Sequence, residues 1–499
     1  MAVLLAGVGN LRNVMATVAG LKQSFDGSVH FVLNDVDRQV LARNVFFLHF
    51  LWKYKGEENV AQQMTQIWYS VKIAEEEATM AQECLTELLS LPGGTDTLCG
   101  GRVTMSAEQW AEFRPVFQLW LSLLTGEEAM QKSPQEQLPI IYELAPASTS
   151  VGRYLTRIPR RHQASAADWF KNGILLPTSD ARRERACRDN VTLAAWNPAY
   201  DDALRRRKLP TITERVGKIA VGINDDAVPF SEWDYLEVKE QSSDDDLLKM
   251  YSHYIDGVVT KFTDLFNQGH VSCQVILDNC LNVQAHLPVE IQFDRIFTSN
   301  ISDNINYPVL LETFRPLLRK DNKKSVIITE FINWAMCFPG EAKPPELDVP
   351  LWMPLFKQAI QDLRHEPDRP DWTQGQLADM ISGQDADDVD SEVAGMMATM
   401  PIFISEGRSS VAEYFDNWDV FNQYLRAALL AHKCPNPVLS TKDVPKMSEV
   451  RNVSGMKMRN FLTELNTVCP FRHRVNVRRV TKVHAHRRVL EWTLPESAD

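Results

Sequence analysis

Two short polar turns near the start of the chain carry the residue types that a nucleotide-like ligand requires. Gly7-Val8-Gly9-Asn10 interrupts the apolar run Ala2–Ala6, and Asn34-Asp35-Val36-Asp37 ends the run Val29–Leu33. Glycines directly after a strand let the backbone turn tightly and bring main-chain N–H groups to a helix start, where an anionic group is favoured. An acid after the next strand is the usual acceptor for ribose hydroxyls. Gly7, Gly9 and Asn10 would then lie beneath the ligand, with Asp35 or Asp37 at its ribose. Two simpler readings stand beside this one: the glycine turn serves tight packing, and Asp35 and Asp37 cap the following helix. The third glycine of G-x-G-x-x-G is missing, its place taken by Arg12.

Two later turns repeat the pattern. Val271–Leu277 ends at Asp278-Asn279, and Phe293–Thr298 ends at Ser299-Asn300, with Asp303 close behind. Ligands of parallel sheets bind outside the carboxyl ends of the strands, so polar residues after four separate strands argue for a pocket more strongly than any one turn does. No Ser-His-Asp or Cys-His arrangement stands out, and His30, His49, His270 and His286 read as ordinary strand-edge or helix histidines. The eight cysteines are scattered without a C-x-x-C pair, which reads as free thiols and supplies no zinc spacing.

The elements that must position these turns follow from periodicity. Residues 1–56 alternate strand and helix, with Val14, Met15, Val18 and Leu21, then Val40, Leu41, Val45, Leu48 and Leu51, at helical spacing. This β-α-β-α order predicts a parallel sheet with right-handed crossovers. From 57 to 265 the alternation gives way to a mostly helical insert: one helix over 57–91, another opened by Ser106-Ala107-Glu108-Gln109, and a third capped by Ser243-Asp244-Asp245-Asp246 and running to about Gln268. Strands return in 266–335, including Ser325–Thr329, for five in all, with a helix over 307–318. Residues 336–499 read as helical, notably 411–431 and 448–468, with an acidic loop at 385–390 and a terminal β-hairpin over 473–493. The fold class is thus an α/β domain with a Rossmann-like parallel sheet, split by the insert and followed by a helical C-terminal region.

Bulk properties narrow the partners. The chain has 499 residues, a net charge of -12 and 44% hydrophobic residues, the balance of a folded soluble protein. The acidity argues against a general nucleic-acid or membrane-surface binder. Residues 153–208 are locally basic, with Arg153, Arg160, Arg182, Arg183, Arg185, Arg188 and Arg205 interleaved with Tyr154, Trp169 and Trp196. That stretch fits either an anionic partner such as RNA or internal pairing with acids, and internal pairing is the stronger reading. No apolar run reaches a membrane span, and the N-terminus lacks the pattern of a signal peptide. A cytoplasmic protein is expected.

The segments V-I-L-D-N-C-L-N-V and F-D-R-I-F-T-S-N resemble the strand-three and strand-four edges of class I S-adenosylmethionine-dependent methyltransferases. The resemblance implies Gly7 and Gly9 at the methionine portion, Asp35 at the ribose, Asp278 and Asn279 at the adenine, and Ser299, Asn300 and Asp303 at the methyl-transfer side. Departures are Leu5 where an acid is common, and Asn300-Ile301-Ser302-Asp303 where amino-group methylating enzymes carry Pro-Pro-aromatic. No helix precedes the first strand, so a cover over the cofactor comes from the insert or from a preceding segment. A nicotinamide dehydrogenase fits less well, lacking the third glycine and a catalytic Tyr-Lys or His-Asp pair. L-L-A-G-V-G-N-L-R-N-V and H-F-V-L-N-D-V-D-R-Q-V-L-A-R-N also resemble a family built on an uncharacterised domain of unknown function, found in dynein axonemal assembly factor three and in MYND-finger proteins. There is no MYND cysteine cluster here. That resemblance implies a methyltransferase-like fold with either cofactor binding or a non-catalytic assembly role, with other proteins as partners.

Overall fold

The structure is a computed structural model. It describes residues 1–22, 24–92, 98–138, 160–196, 217–221, 228–233, 235–242, 244–331, 418–433, 445–459 and 488–495. The chain forms two compact units. The first comprises Met1–Ala145, Ala164–Ser299 and Leu317–Ser325; the second comprises Pro146–Gln163, Asn300–Pro316 and Val326–Asp499.

The first unit is built on β1 (Ala2–Ala6), β2 (Val29–Asp35), β3 (Lys72–Ala74), β4 (Val103–Thr104), β5 (Ala186–Asp189), β6 (Ala194–Trp196), β7 (Ile219–Val221), β8 (Val271–Leu277) and β9 (Arg295–Phe297). Five of these make one sheet in the order β9-β1-β2-β8-β4, and every pairing in it is parallel. β1 is buried along its whole length, and β2 nearly so. Strands covered on both faces need continuous apolar runs rather than alternation, and those runs made them legible in the sequence. Counting β1, β2, β8 and β9 as one to four, the order reads 3-2-1-4, so the direction of winding reverses between β1 and β9.

Helices α1 (Arg12–Ala19), α2 (Arg38–Lys53), α3 (Val60–Tyr69), α4 (Glu75–Ser90), α5 (Ala107–Thr125), α6 (Arg160–Asn172) and α7 (Leu247–Gln268) surround that sheet in sequence. α7 packs on α1, α3 and β8, and α2 on β2, α4 and α5. The expected caps hold for α5, where Ser106 accepts from the Gln109 N–H, and for α7, where Asp246 accepts from the Leu248 N–H. The single helix expected over 57–91 is instead α3, β3 and α4. The break at Ser70-Val71 is made by tertiary bonds: Val71 N–H donates to the Gly173 carbonyl, Asn190 N–H to the Val71 carbonyl, and Leu175 N–H to Ser70 Oγ. The insert also adds β4 to the main sheet and two small antiparallel pairs, β3-β5 and β6-β7.

In the second unit, β10 (Val326–Phe331), β11 (Asn452–Val453), β12 (Met456–Met458) and β13 (Arg488–Thr493) pair antiparallel in the order β11-β12-β13-β10. α8 (Tyr307–Phe314) and α9 (Trp418–Lys433) lie beside them in sequence, and Tyr307 Oη donates to the Leu425 carbonyl at 3.2 Å. Tyr307 stacks on Trp492 with ring centroids 5.5 Å apart. The helix expected over 448–468 is corrected in its first part. Met447–Val450 forms one turn, and the chain then doubles back as β11 and β12 through Ser454 (φ 52) and Gly455 (φ 71). A Ser-Gly pair with both residues left-handed is a tight hairpin turn, and it overrides helical periodicity. Of the terminal hairpin read over 473–493, 488–493 is the strand β13, whose described partners are β10 and β12; 473–487 lies outside the described residues, as do 460–468 and the acidic loop at 385–390. Among the described residues no helix is long and apolar enough to cross a membrane.

Candidate functional site

The carboxyl ends of β1, β2, β8 and β9 bring the sequence-predicted turns of the first unit to one sheet edge. After β1, Gly7 (φ 65) and Gly9 (φ 58) both adopt the left-handed conformation that a side chain disfavours. Val8 N–H donates to the Asn34 carbonyl at 2.9 Å. Gly9 is held on both sides: its N–H donates to Asp35 Oδ2 at 3.1 Å, and its carbonyl accepts from Asn44 Nδ2 at 2.8 Å. Asn10 Oδ1 accepts from the Arg12 N–H at 2.9 Å, at the start of α1.

Asp35 is half-buried and takes a second N–H, from Asp37, on Oδ1 at 3.0 Å. Burial pushes its carboxyl above the ordinary value, against the pull of the Asp37 and Gly9 N–H groups. Asp37 does what the simpler reading expected, capping α2 by accepting from the Gln39 N–H at 2.7 Å. Between the two acids, Val36 is 69% exposed.

The turn after β8 is tied to β2. Asp278 N–H donates to the Asp35 carbonyl at 3.1 Å, and the fully buried Asn34 donates from Nδ2 to the Ile276 carbonyl at 3.1 Å and the Asp278 carbonyl at 2.8 Å. The Asp278 carboxylate has three donors: the Asn279 N–H at 2.6 Å and Asn282 Nδ2 at 3.2 Å on Oδ1, and His286 Nε2 at 2.7 Å on Oδ2. The His286 bond, together with Asn282 and the Asn279 N–H, holds the carboxyl below its usual range. Asn279 accepts from the Leu281 N–H at 3.0 Å, opening the 3-10 turn Cys280–His286. Cys280 is buried behind it, its thiol pushed up to about 11 by burial.

After β9, Thr298 is fully buried and Ser299 is left-handed at φ 46, a conformation that costs a non-glycine residue energy and collects at functional turns. Asn300 and Asp303 fall in the second unit, where Ser302 Oγ donates to the Glu330 carbonyl. The structure thus gathers Gly7, Gly9, Asn10, Asp35, Asp37, Asp278, Asn279 and Ser299 within the first unit.

Four contributors were missed in the sequence: Asn34, Val36, Asn44 and His286. Val36 alone carried a signal, as an apolar residue between two acids. Asp278 and His286, eight residues apart in the chain, are brought into contact by the 3-10 turn. In the basic stretch, Arg182 pairs with Asp180 at 2.7 Å, Arg188 with Glu75 at 2.8 Å, and Arg183 with Asp168. Trp169 is buried against Phe230, with centroids 5.5 Å apart. Among the described residues of that stretch, internal pairing describes these groups. Arg153, Tyr154 and Arg205 lie outside the described residues.

Residues 1–73 match the model of a family described as a domain of unknown function (DUF4470). The match spans both β1 and β2 with their turns, and so includes Gly7, Gly9, Asp35 and Asp37. No curated protein and no solved structure matches the chain.

Proposed function

We propose that the first unit binds a nucleoside-containing ligand of the S-adenosylmethionine type and that the chain is a methyltransferase-like protein. The observation that carries this reading is the 3-2-1-4 strand order with left-handed turns on both sides of the reversal, Gly7 and Gly9 after β1 and Ser299 after β9. Ligands of open α/β sheets bind in the crevice outside the strands' carboxyl ends where the winding reverses.

The residues at that edge fit such a group. A carboxylate offers about four lone-pair directions; Asp35 gives two to the Gly9 and Asp37 N–H groups and retains acceptor capacity for ribose hydroxyls. The N-terminal turn of α1 suits the carboxylate of a methionine portion. Val36 offers an apolar face for a base. When bound, the ligand supplies an electrophilic methyl group; the chain's own residues bind and orient it. Calorimetric titration with S-adenosylmethionine tests the reading. Saturable binding, weakened about tenfold or more by Asp35→Ala, is expected, since a hydrogen bond to a charged group is worth about 1.5–3 kcal/mol. No saturable heat at millimolar ligand overturns it.

A second reading, a non-catalytic assembly protein of the kind the family resemblance implies, is favoured by one observation: Asp35, Asp37, Asp278 and Asn279 all have partners within the chain. On that reading the edge is a self-contained structural latch. Stable protein partners of the full chain, retained in Asp35→Ala and indifferent to saturating S-adenosylmethionine, would support it. Because β4 belongs to the main sheet, deleting the insert would strip the β8 edge and is no test.

A further inference from the structure

We propose that His286 sets base specificity at this edge: by occupying Asp278 it leaves the base subsite without a means to select a 6-amino purine over a 6-oxo purine. The inference rests on the nucleoside-binding reading above and deepens it. With the ribose at Asp35, the base of the ligand extends away from the reversal point, over the end of the next strand, β8. Adjacent strands lie about 4.8 Å apart, a step comparable to the reach from ribose to base, and the Asp278 N–H to Asp35 carbonyl bond of 3.1 Å fixes the two turns side by side. The base therefore meets two things: the exposed side chain of Val36 and the carboxylate of Asp278.

A carboxylate with spare acceptor capacity would reward a 6-amino donor and repel a 6-oxo acceptor. Three of the roughly four lone-pair directions of Asp278 are taken. Its Oδ1 already carries the Asn279 N–H and Asn282 Nδ2, and any further donor at Oδ2 must share it with an imidazole nitrogen at 2.7 Å. Val36 contributes apolar contact, which does not distinguish the two bases. His286 is 36% exposed and Asp278 30%, so replacing either leaves the core intact.

The test is calorimetric titration of the full chain with S-adenosylhomocysteine and S-inosylhomocysteine. The wild-type protein is expected to bind the two within about threefold, while His286→Ala favours the adenosyl compound roughly tenfold, the size of one hydrogen bond to a charged acceptor. Adding Asp278→Asn to His286→Ala is expected to abolish that preference, and circular dichroism checks that each variant is folded. A wild-type preference of tenfold or more, or a ratio unchanged in His286→Ala, overturns the proposal while leaving the nucleoside reading in place. If neither compound binds the wild-type protein or His286→Ala, the nucleoside reading fails, and this proposal with it.

Discussion

His49 shows how much a single buried ring can bias this protein against acid. It sits in α2 with only 3% of its side chain exposed, and neither ring nitrogen has a hydrogen-bond partner; Glu87 Oε1, at 3.5 Å, is the near charge. Burial pushes its pKa down to about 4, although Glu87 pulls the other way. Lys53, which bridges to the same Glu87 at 2.6 Å, reinforces the fall. The folded-state value lies below the ordinary 6.5, so as pH falls the unfolded chain takes up this proton first. Stability from His49 is complete above 6.5 and is lost as pH falls toward 4. At 1.36 kcal/mol per pKa unit the loss is at most about 3 kcal/mol, with coupling to Glu87 reducing it. Urea denaturation between pH 4 and 7 is expected to show a shallower acid loss in His49→Leu than in wild type; equal slopes would remove His49 from the account. Asp256 in α7 acts with the opposite sign. Burial raises its carboxyl to about 6, against Thr65, Arg182 and His253. The folded state holds that proton more tightly than the unfolded chain, so stability falls as pH rises from 3.8 through 6. Asp256→Asn is expected to stabilise the protein at pH 7 by about 1–3 kcal/mol. A destabilised variant would mean that the ionised carboxylate is the form the fold needs.

The strand-helix junctions explain why part of the site was legible in the sequence and part was not. Asp37 and Asp35 are two residues apart and look alike in a one-dimensional reading, but only Asp37 accepts from the first turn of α2. Asp37→Ala is expected to cost about 1 kcal/mol of stability, as lost N-caps do, with S-adenosylmethionine affinity unchanged within about twofold. A tenfold loss of affinity would instead make Asp37 the ribose acceptor. The glycine turn, the acids and the four parallel strands were readable because each depends on local chemistry: apolar runs that end at residues tolerant of unusual φ. What was hidden depends on distant partners. The break between α3 and β3 carries no glycine or proline; it exists because Gly173, Leu175 and Asn190, more than 100 residues away, take the backbone and hydroxyl groups of Ser70 and Val71. The role of Asn34 was equally invisible, since its amide reaches β8 across 242 residues of chain. His286 meets Asp278 only because the intervening residues form a 3-10 turn, whose three-residue period shows no distinct apolar pattern.

At the scale of the molecule, the edge that carries these turns draws on segments far apart in the chain yet lies within one compact unit. β1 and β2 lie before the insert and β8 and β9 after it. Asp278 N–H to the Asp35 carbonyl, Gly9 N–H to the Asp35 carboxylate and Val8 N–H to the Asn34 carbonyl stitch three of these strand ends together. A ligand seated on such an edge binds only when the strands are paired, so it opposes every opening that separates them. At a concentration of 100 times its Kd, binding adds about 2.7 kcal/mol to the folded form, which corresponds to roughly a hundredfold slowing of exchange for amides exposed by those openings. Hydrogen exchange with saturating S-adenosylhomocysteine is therefore expected to slow the Val8, Gly9 and Asp278 amides strongly, and to slow those of β1, β2 and β8 with them. Were protection confined to the Val8 and Gly9 amides, the ligand would be resting on the glycine turn alone, without engaging the β8 side of the edge. Were these amides indifferent to ligand that calorimetry shows to be bound, the site would lie elsewhere, and the left-handed glycines after β1 would owe their place to close packing between Asn34, Asp35 and Asn44.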